Sequence, residues 1–277
     1  MEHLPVPSAA LRRIRMILDD PGASAADVSD VLRTDATLCG KVLRLANSAS
    51  IGIPRAISSL SNAVVLLGVK RIYSVVLTSE LIAPFREISD LPFSMDRFRL
   101  HSVIVAAIAE SIARHIRRYE AVDENELFSG ALLHDIGKLL EGVVDPQAME
   151  DMHKRAVQLS MPFYRVESDD FSHTVLGETV AQRWGFPEEL RACIAGHHSV
   201  ARSLELHRTV SVIHIADVMA HLLGYALYPD ETTPPIEEAA LAAIRIPVER
   251  LRVIAEDILQ QQDTIAALLE IIDGPQS

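Results

Sequence analysis

The dominant pattern along the chain is helical, because apolar residues recur at spacings of three and four over most of its length. Clear examples are the segments 11–18, 97–117 and 209–223. Runs that alternate apolar and polar residues between turn residues, which are typical of half-buried strands, are hard to find. We therefore predict an all-α fold, a multi-helix bundle.

Turn and capping residues divide this pattern into three predicted parts. Residues 1–90 form an N-terminal helical part that carries no cluster of metal ligands or nucleophiles, so its helices serve packing and recognition. Residues 91–230 form a helical core, in which one helix is predicted to start near Ser168 and stop at Gly185. Residues 231–277 form C-terminal helices whose apolar stripe packs on the core or, alternatively, provides a seam for a partner or a second copy in a homodimer.

Composition and charge narrow the classes of partner. The chain has 277 residues, 49% of them hydrophobic, and a net charge of −12 from 26 basic and 38 acidic residues. That charge opposes attraction to nucleic acid and to anionic membranes. The first residues lack the basic and apolar regions of a signal peptide, and no apolar run reaches membrane-spanning length. With only Cys39 and Cys193 present, the sequence predicts a cytoplasmic protein without a disulfide framework.

The first candidate for chemistry is an adjacent pair, His134-Asp135, inside the apolar run from Gly130 to Leu139. Two polar groups in such a segment need partners, because an unpaired charge removed from water costs several kcal/mol. A divalent metal would provide that partner. The alternative is a buried, hydrogen-bonded pair that caps a helix.

Other polar residues lie in apolar helices of the same part of the chain. Helices from separate parts of a bundle can build a metal site in its core, and imidazole and carboxylate ligands suit one or two ions of iron, manganese, zinc or magnesium. For any single histidine, the alternative is a satisfied core residue. His214 and His221 share a helix face with Asp217, so each is either a support for a ligand or structural. The candidate metal ligands are His101, His134, Asp135 and Asp217, with His173, His197 and His198 as further candidates.

The order H…HD…D on helices resembles the HD superfamily of metal-dependent phosphohydrolases, with His101, His134-Asp135 and Asp217 in the matching positions. The N-terminal half is similar to the HDOD family, the HD-related output domains of bacterial signalling proteins. The likeness extends from about Leu4 to Leu223. The segments that carry it are Leu4-Pro5-Val6-Pro7, Asp35-Ala36-Thr37-Leu38, Leu43-Arg44-Leu45-Ala46-Asn47-Ser48-Ala49 and Ala63-Val64-Val65-Leu66-Leu67-Gly68.

A second resemblance concerns the HD-GYP cyclic-di-GMP phosphodiesterases. His134, Asp135 and Lys138 match their HDxGK motif, His173 corresponds to an intermediate histidine, and His197-His198 matches their paired histidines. The chain departs from that family in two places. The segment 199–202 reads Ser-Val-Ala-Arg with no GYP, while Gly224 to Pro229 lies too late to replace it. Arg97, one turn before His101, is not an acidic residue that would support an extra metal.

These resemblances imply two functions. The first is a signalling output module that acts through a partner protein or an attached receiver-type domain, since many HDOD domains are thought to be regulatory although this one keeps its metal set. The second is a metal-dependent phosphohydrolase acting on a nucleotide, a cyclic dinucleotide or another phosphoester. In an enzyme, Asp135 would bridge two metals and Lys138 would contact a phosphate or the water that attacks it. The alternative for Lys138 is a solvated lysine at a helix end.

Overall fold

A computed structural model describes residues 8–20, 22–47, 57–88, 90–116, 123–202 and 207–273. The motif Leu4 to Pro7 and the end of the segment 43–49 lie outside these ranges. Within the described residues the chain forms helices and no strand, apart from one isolated bridge between Ser168 and Phe171. The predicted all-α bundle is confirmed.

Fifteen α-helices follow one another in the described ranges. They are α1 (Ala9–Leu18), α2 (Ala25–Arg33), α3 (Ala36–Ala46), α4 (Leu60–Leu67), α5 (Val69–Ile82), α6 (Met95–Ile116), α7 (Glu124–Leu133), α8 (Ile136–Val144), α9 (Pro146–Leu159), α10 (His173–Arg183), α11 (Glu188–Gly196), α12 (His207–Leu222), α13 (Glu238–Ile244), α14 (Val248–Gln260) and α15 (Gln262–Asp273). Short 3₁₀ turns span Ala83–Glu87, Phe163–Arg165 and Val200–Arg202.

Packing groups the chain into two compact units, residues 1–86 with 261–277, and residues 87–260. In the first unit, α1 packs on α2 and α5, and α15 packs on α3 and α5. The C-terminal segment therefore divides, because α13 and α14 pack on α12 and α6 of the second unit while α15 joins the first. The boundaries drawn from the sequence at residues 90 and 230 stay predictions.

Helix starts in the first unit follow from capping side chains. The Ser8 hydroxyl accepts a hydrogen bond from the Leu11 amide, and the Asp35 carboxylate accepts from the amides of Thr37 and Leu38. Such caps satisfy backbone donors that have no partner within the helix. These local hydrogen bonds fix where α1 and α3 begin, independently of tertiary packing.

The second unit is built around α6, whose side chains are buried over nearly its whole length from Phe98 to Ile116. A helix that is apolar on all sides belongs in the interior of a bundle. Accordingly, α6 packs against α7, α12 and α14. The buried surfaces of α6 and α12 place His101 and Asp217 in the interior of this unit.

A close approach between α8 and α10 depends on Gly137. A Cβ atom at this position would lie 1.8 Å from the carbonyl oxygen of His173, which is far inside van der Waals contact. Only glycine leaves room for the two backbones at this crossing. The contact holds the first residue of α10 against the start of α8.

The start of α10 differs from the sequence prediction. The helix begins at His173, after Ser172 has capped it by accepting a hydrogen bond from the Val175 amide. The predicted start near Ser168 is wrong, because the segment before Ser172 forms a bend in which Ser168 pairs with Phe171.

No single described helix combines the length and the apolar composition needed to cross a membrane. One sharply bent pair, Leu60–Leu67 with Val69–Phe85, meets those two criteria when its halves are taken together.

Candidate metal centre

The His-Asp pair occupies the junction between α7 and α8. Helix α7 ends at Leu133, α8 begins at Ile136, and both polar side chains point into the unit with 0% and 1% exposure. Asp135 stands at the N-cap of α8, yet its side chain makes no capping hydrogen bond. The structure therefore contradicts the alternative in which His134-Asp135 is a hydrogen-bonded pair that caps a helix.

Four of the candidate ligands form a first group. The Nε2 atoms of His101 and His134 lie 3.2 Å apart, and Asp135 Oδ2 lies 3.5 Å from each of them. Asp217 Oδ1 lies 3.3 Å from His101 Nε2 and 3.8 Å from His134 Nε2. Three separate segments, α6, the α7–α8 junction and α12, thus bring two imidazoles and two carboxylates to one point.

Backbone carbonyls determine which ring nitrogens of this group are free. His101 Nδ1 is 2.9 Å from the Tyr225 carbonyl oxygen, and His134 Nδ1 is 2.7 Å from that of Ala131. A carbonyl only accepts, so each Nδ1 carries a proton and each Nε2 is left with a lone pair unless its ring is charged. Burial lowers the pKa of His134 to about 3, so its ring is neutral. The His134 lone pair thus faces the other imidazole at a distance suited to a shared cation.

The remaining candidates form a second group on the other side of Asp135. The Nε2 atoms of His173 and His197 lie 3.2 Å apart, and Asp135 Oδ1 lies 3.4 Å and 3.5 Å from them. The His198 ring lies 4.1 Å from the His197 ring between centroids. One ligand atom from each of these four residues falls within 4.8 Å of the others.

The second group uses the same arrangement of ring nitrogens. His197 Nδ1 donates to the Ile194 carbonyl oxygen at 3.0 Å, while His173 Nδ1 donates to the Glu167 carboxylate at 2.7 Å. Hydrogen bonds of this kind orient an imidazole and fix the tautomer that leaves Nε2 free for a metal.

Asp135 connects the two groups, with Oδ2 toward the first and Oδ1 toward the second. Burial alone would raise the pKa of Asp135, but Lys138 and the surrounding imidazoles offset this and hold it well below its usual range. Burial would likewise raise the pKa of Asp217, which His221 and His101 hold well below its usual range. Both carboxyl groups are therefore anionic.

The donor set fits divalent cations on structural grounds. Both oxygens of Asp217 and the Nδ1 atom of His198 are buried without a well-formed hydrogen bond to any described residue. Buried polar atoms in native proteins are nearly always partnered, so such a cluster points to a missing ligand. The two groups around Asp135 suit two ions of iron, manganese, zinc or magnesium. The assignment of the seven residues as ligands stays a prediction.

Lys138 lies inside the unit rather than at its surface. Its side chain is 3% exposed, and its Nζ atom is 2.8 Å from Asp135 Oδ2. Burial would lower the pKa of Lys138, but Asp135 and then Glu231 raise it above its ordinary value. The alternative of a solvated lysine at a helix end is wrong, while the catalytic roles of Lys138 and Asp135 stay predictions.

Glu167 is a part of the site that the sequence did not reveal. Its carboxylate accepts hydrogen bonds from both the backbone amide and Nδ1 of His173, and its side chain is 1% exposed. Burial and then the neighbouring Glu167 carboxylate raise the pKa of Glu141 to about 9. Glu167 precedes two further acids in a polar segment without periodicity, so no pattern separated it from a surface carboxylate.

The two undecided histidines on α12 have different surroundings. His214 donates through Nδ1 to the His197 carbonyl oxygen and accepts at Nε2 from the Glu237 amide, so both ring nitrogens are used structurally. His221 Nδ1 lies 3.1 Å from Asp217 Oδ1, and its Nε2 faces Glu231. His221 therefore borders the first group of candidate ligands.

Access to the centre is restricted on every described side. Six of the seven candidate side chains are at most 1% exposed, and only His198 reaches 8%. The Tyr164 ring lies flat on the His198 ring, with centroids 4.2 Å apart and an angle of 11° between planes. Tyr164 thus covers His198, the most exposed of the candidate ligands.

Comparisons with known proteins agree with this fold. A solved HDOD domain protein of unknown function from Geobacter sulfurreducens is 23% identical with a TM-score of 0.75, covering 97% of this chain and 93% of that one. A candidate phosphohydrolase from Shewanella amazonensis SB2B is 22% identical with a TM-score of 0.74, covering 98% and 96%. A candidate signal transduction protein from Marinobacter aquaeolei VT8 is 18% identical with a TM-score of 0.79, covering 97% and 60%.

One curated relative, an uncharacterized protein from Treponema pallidum (strain Nichols), is 20% identical over 264 residues. That alignment covers 93% of this chain and 49% of the relative, so the chain spans about half the length of the protein it matches. The family model of the HDOD domain matches residues 4–200. Since this match extends over more than half of the sequence, the chain belongs to the HDOD domain family.

Proposed function

We propose that the protein is a bacterial signal-transduction output module whose interior holds two divalent cations. The observation that carries this proposal is the convergence of seven histidine and aspartate side chains in two groups that share Asp135. Membership of the HDOD family, and the fold shared with a candidate signal transduction protein, support the signalling part.

The enclosure of the centre favours a module over a turnover enzyme. An enzyme must admit substrate and release product in every cycle, whereas the candidate ligands here are almost fully buried, and Tyr164 lies over His198, the most exposed of them. Cations bound at this place would instead tie α6, the α7–α8 junction, α10, the end of α11 and α12 together. Occupancy of the centre would then change the packing that a partner protein or an attached receiver-type domain meets.

A metal-dependent phosphohydrolase is the second candidate function. It is favoured by the position of Asp135 between the two groups and by Lys138 beside it, since this arrangement resembles a two-cation hydrolytic site. When bound, divalent cations supply Lewis acidity toward a phosphoryl oxygen and lower the pKa of water. Lys138 would orient Asp135, and the fold-neighbour from Shewanella amazonensis is a candidate phosphohydrolase.

Metal analysis combined with an activity assay separates these functions. We expect about two divalent ions per purified chain, reduced in His134→Ala and nearly absent in Asp135→Ala, because Asp135 faces both groups. His207→Ala, which removes a half-exposed histidine at the start of α12, is the matched control and should keep the full content. A preparation that takes up no divalent metal would contradict both functions.

The activity arm uses a panel of phosphomonoesters, nucleotides and cyclic dinucleotides. If the protein is a signalling module, we expect full metal content without hydrolysis of any compound in the panel. Metal-dependent hydrolysis that is lost in His134→Ala and Asp135→Ala but kept in His207→Ala would instead establish the phosphohydrolase.

A further inference from the structure

The short turn Phe163–Arg165, between α9 and α10, carries features that the metal centre alone does not explain. We propose that Arg165 binds the phosphate group of a small phosphorylated ligand at the entrance to the centre, and that Tyr164 is the cover displaced when this ligand binds. The inference rests on the proposed two-cation centre, because it places the phosphate site at that centre's most exposed edge.

The turn is fixed at its inner end and open at its outer end. Phe163 is 1% exposed, and its ring lies 5.9 Å from Lys138 Nζ. Tyr164 is half-buried and Arg165 is exposed. Backbone hydrogen bonds from Arg165 to Pro162 and from Val166 to Phe163 hold the turn together. Three consecutive residues thus lead from the interior beside Lys138 to solvent.

Tyr164 and Arg165 are coupled to each other and to a candidate ligand. The Tyr164 ring covers His198, while Arg165 Nε donates to the Tyr164 hydroxyl at 3.1 Å and the guanidinium carbon lies 5.2 Å from the ring centroid. A change in the position of Arg165 therefore changes the hydrogen bond that keeps Tyr164 in place. An anion bound by Arg165 competes with this contact for the same guanidinium.

The charge of the chain explains why phosphate binding at this place needs a positively charged side chain. The chain carries a net charge of −12, which repels anions in solution, and the interior adds the carboxylates of Asp135 and Asp217. Lys138 is engaged with Asp135. The side chain of Arg165 is exposed, and its contacts among the described residues are with the uncharged Tyr164. Its planar, permanently charged guanidinium matches the geometry of a phosphate.

The binding test uses the full, metal-loaded chain with inorganic phosphate and adenosine monophosphate as probes in calorimetric titration. Arg165→Gln should weaken the binding of both probes by about tenfold, since a charge-assisted hydrogen bond is lost. Arg165→Lys should restore part of the affinity. Arg183→Gln, which removes an exposed arginine at the end of α10, is the matched control and should bind as the unaltered chain does.

The cover is tested by the rate at which a chelator removes the metal. Tyr164→Ala should retain the full metal content but release the ions several-fold faster, while Tyr164→Phe, which keeps the ring over His198 but loses the hydrogen bond from Arg165, should release them at an intermediate rate. Phosphate should accelerate release from the unaltered chain and have little effect on Arg165→Gln.

Three outcomes would overturn the inference. They are no phosphate binding by a fully loaded chain, equal binding by Arg165→Gln and the unaltered chain, or equal release from Tyr164→Ala. In each case a full metal content would contradict the phosphate inference while remaining consistent with the proposed function. Failure to bind metal at all would contradict both the inference and the proposed function.

Discussion

At the residue scale, Glu167 determines how His173 presents its ring to the rest of the site. The carboxylate accepts from the backbone amide and from Nδ1 of the same histidine, so it fixes both the start of α10 and the direction of Nε2. His101 and Asp217 were predictable from the sequence because they lie within apolar helices, and His134-Asp135 because the pair interrupts an apolar run. Glu167 was not, since a carboxylate in a polar loop becomes significant only when the loop folds over it.

Replacing Glu167 by Gln should weaken the second group of ligands selectively. An amide cannot supply the same negative charge behind the imidazole, and supporting groups of this kind contribute about 10- to 100-fold to metal affinity. Competition titration should show one cation bound more weakly and one unchanged. Glu178→Gln, an exposed substitution on α10, should alter neither, and equal weakening of both cations would contradict the selective role.

The two cysteines should differ in reactivity. Cys193 is fully buried, and burial, followed by the charge of Glu126, raises the pKa of its thiol to about 12, whereas Cys39 is partly exposed. Since the thiolate is the reactive species, we expect Cys193 to resist alkylation at pH 8 while the protein is folded. Mass spectrometry should find one modified thiol in the folded chain and two in urea. Rapid labelling of Cys193 in the folded chain would contradict its burial.

At the element scale, the position of His173 depends on how closely α10 approaches α8. Periodicity in the sequence predicts that helices exist, and capping residues mark where several of them begin: Ser24 stands at the N-cap of α2 and Pro187 at that of α11. Those signals are local. They gave the start of α10 wrongly and left the partner of α15 open, because both depend on contacts between segments distant in sequence.

Gly137→Ala should therefore disrupt the site as well as the fold. The added methyl would overlap the His173 carbonyl, and overpacking of this kind costs about 1–3 kcal/mol. Urea unfolding should show that loss, accompanied by weaker binding of one cation. Gly40→Ala in α3 is the matched control, because its methyl would lie 3.6 Å from Arg44 and meets only ordinary contact. That change should stabilise the protein by about 0.5–1 kcal/mol.

At the scale of the whole molecule, the candidate metal centre brings together side chains from segments between residue 101 and residue 217. Two anionic aspartates are brought together in the interior, where the repulsion between their charges is weakly screened. The HDOD fold was predictable from the order of its motifs. The resemblance to HD enzymes implied that Asp135 would bridge two metals, but the assignment of Oδ2 to one group of histidines and Oδ1 to the other depends on the fold.

Removal of metal should accordingly destabilise the chain. A ligand that binds only the folded state contributes about 2.7 kcal/mol at a free concentration one hundred times its dissociation constant, and the proposal has two such ligands. Thermal unfolding with and without a chelator should show a clear fall in melting temperature. Asp135→Asn should melt at the same temperature in both conditions. An unaltered melting temperature in the original chain would mean that the cations contribute nothing to the folded state.

The burial of the candidate ligands should also determine which metal each molecule retains after it has folded. When nearly every candidate ligand is shielded from solvent, cations exchange only when the Tyr164 cover is displaced or the bundle opens, and both events are rare without a ligand. Ions acquired as the chain folds would then persist long after the surrounding supply has changed. Samples produced in iron-rich and manganese-rich media would keep different metals through purification, so the occupancy of each molecule would record the conditions of its synthesis.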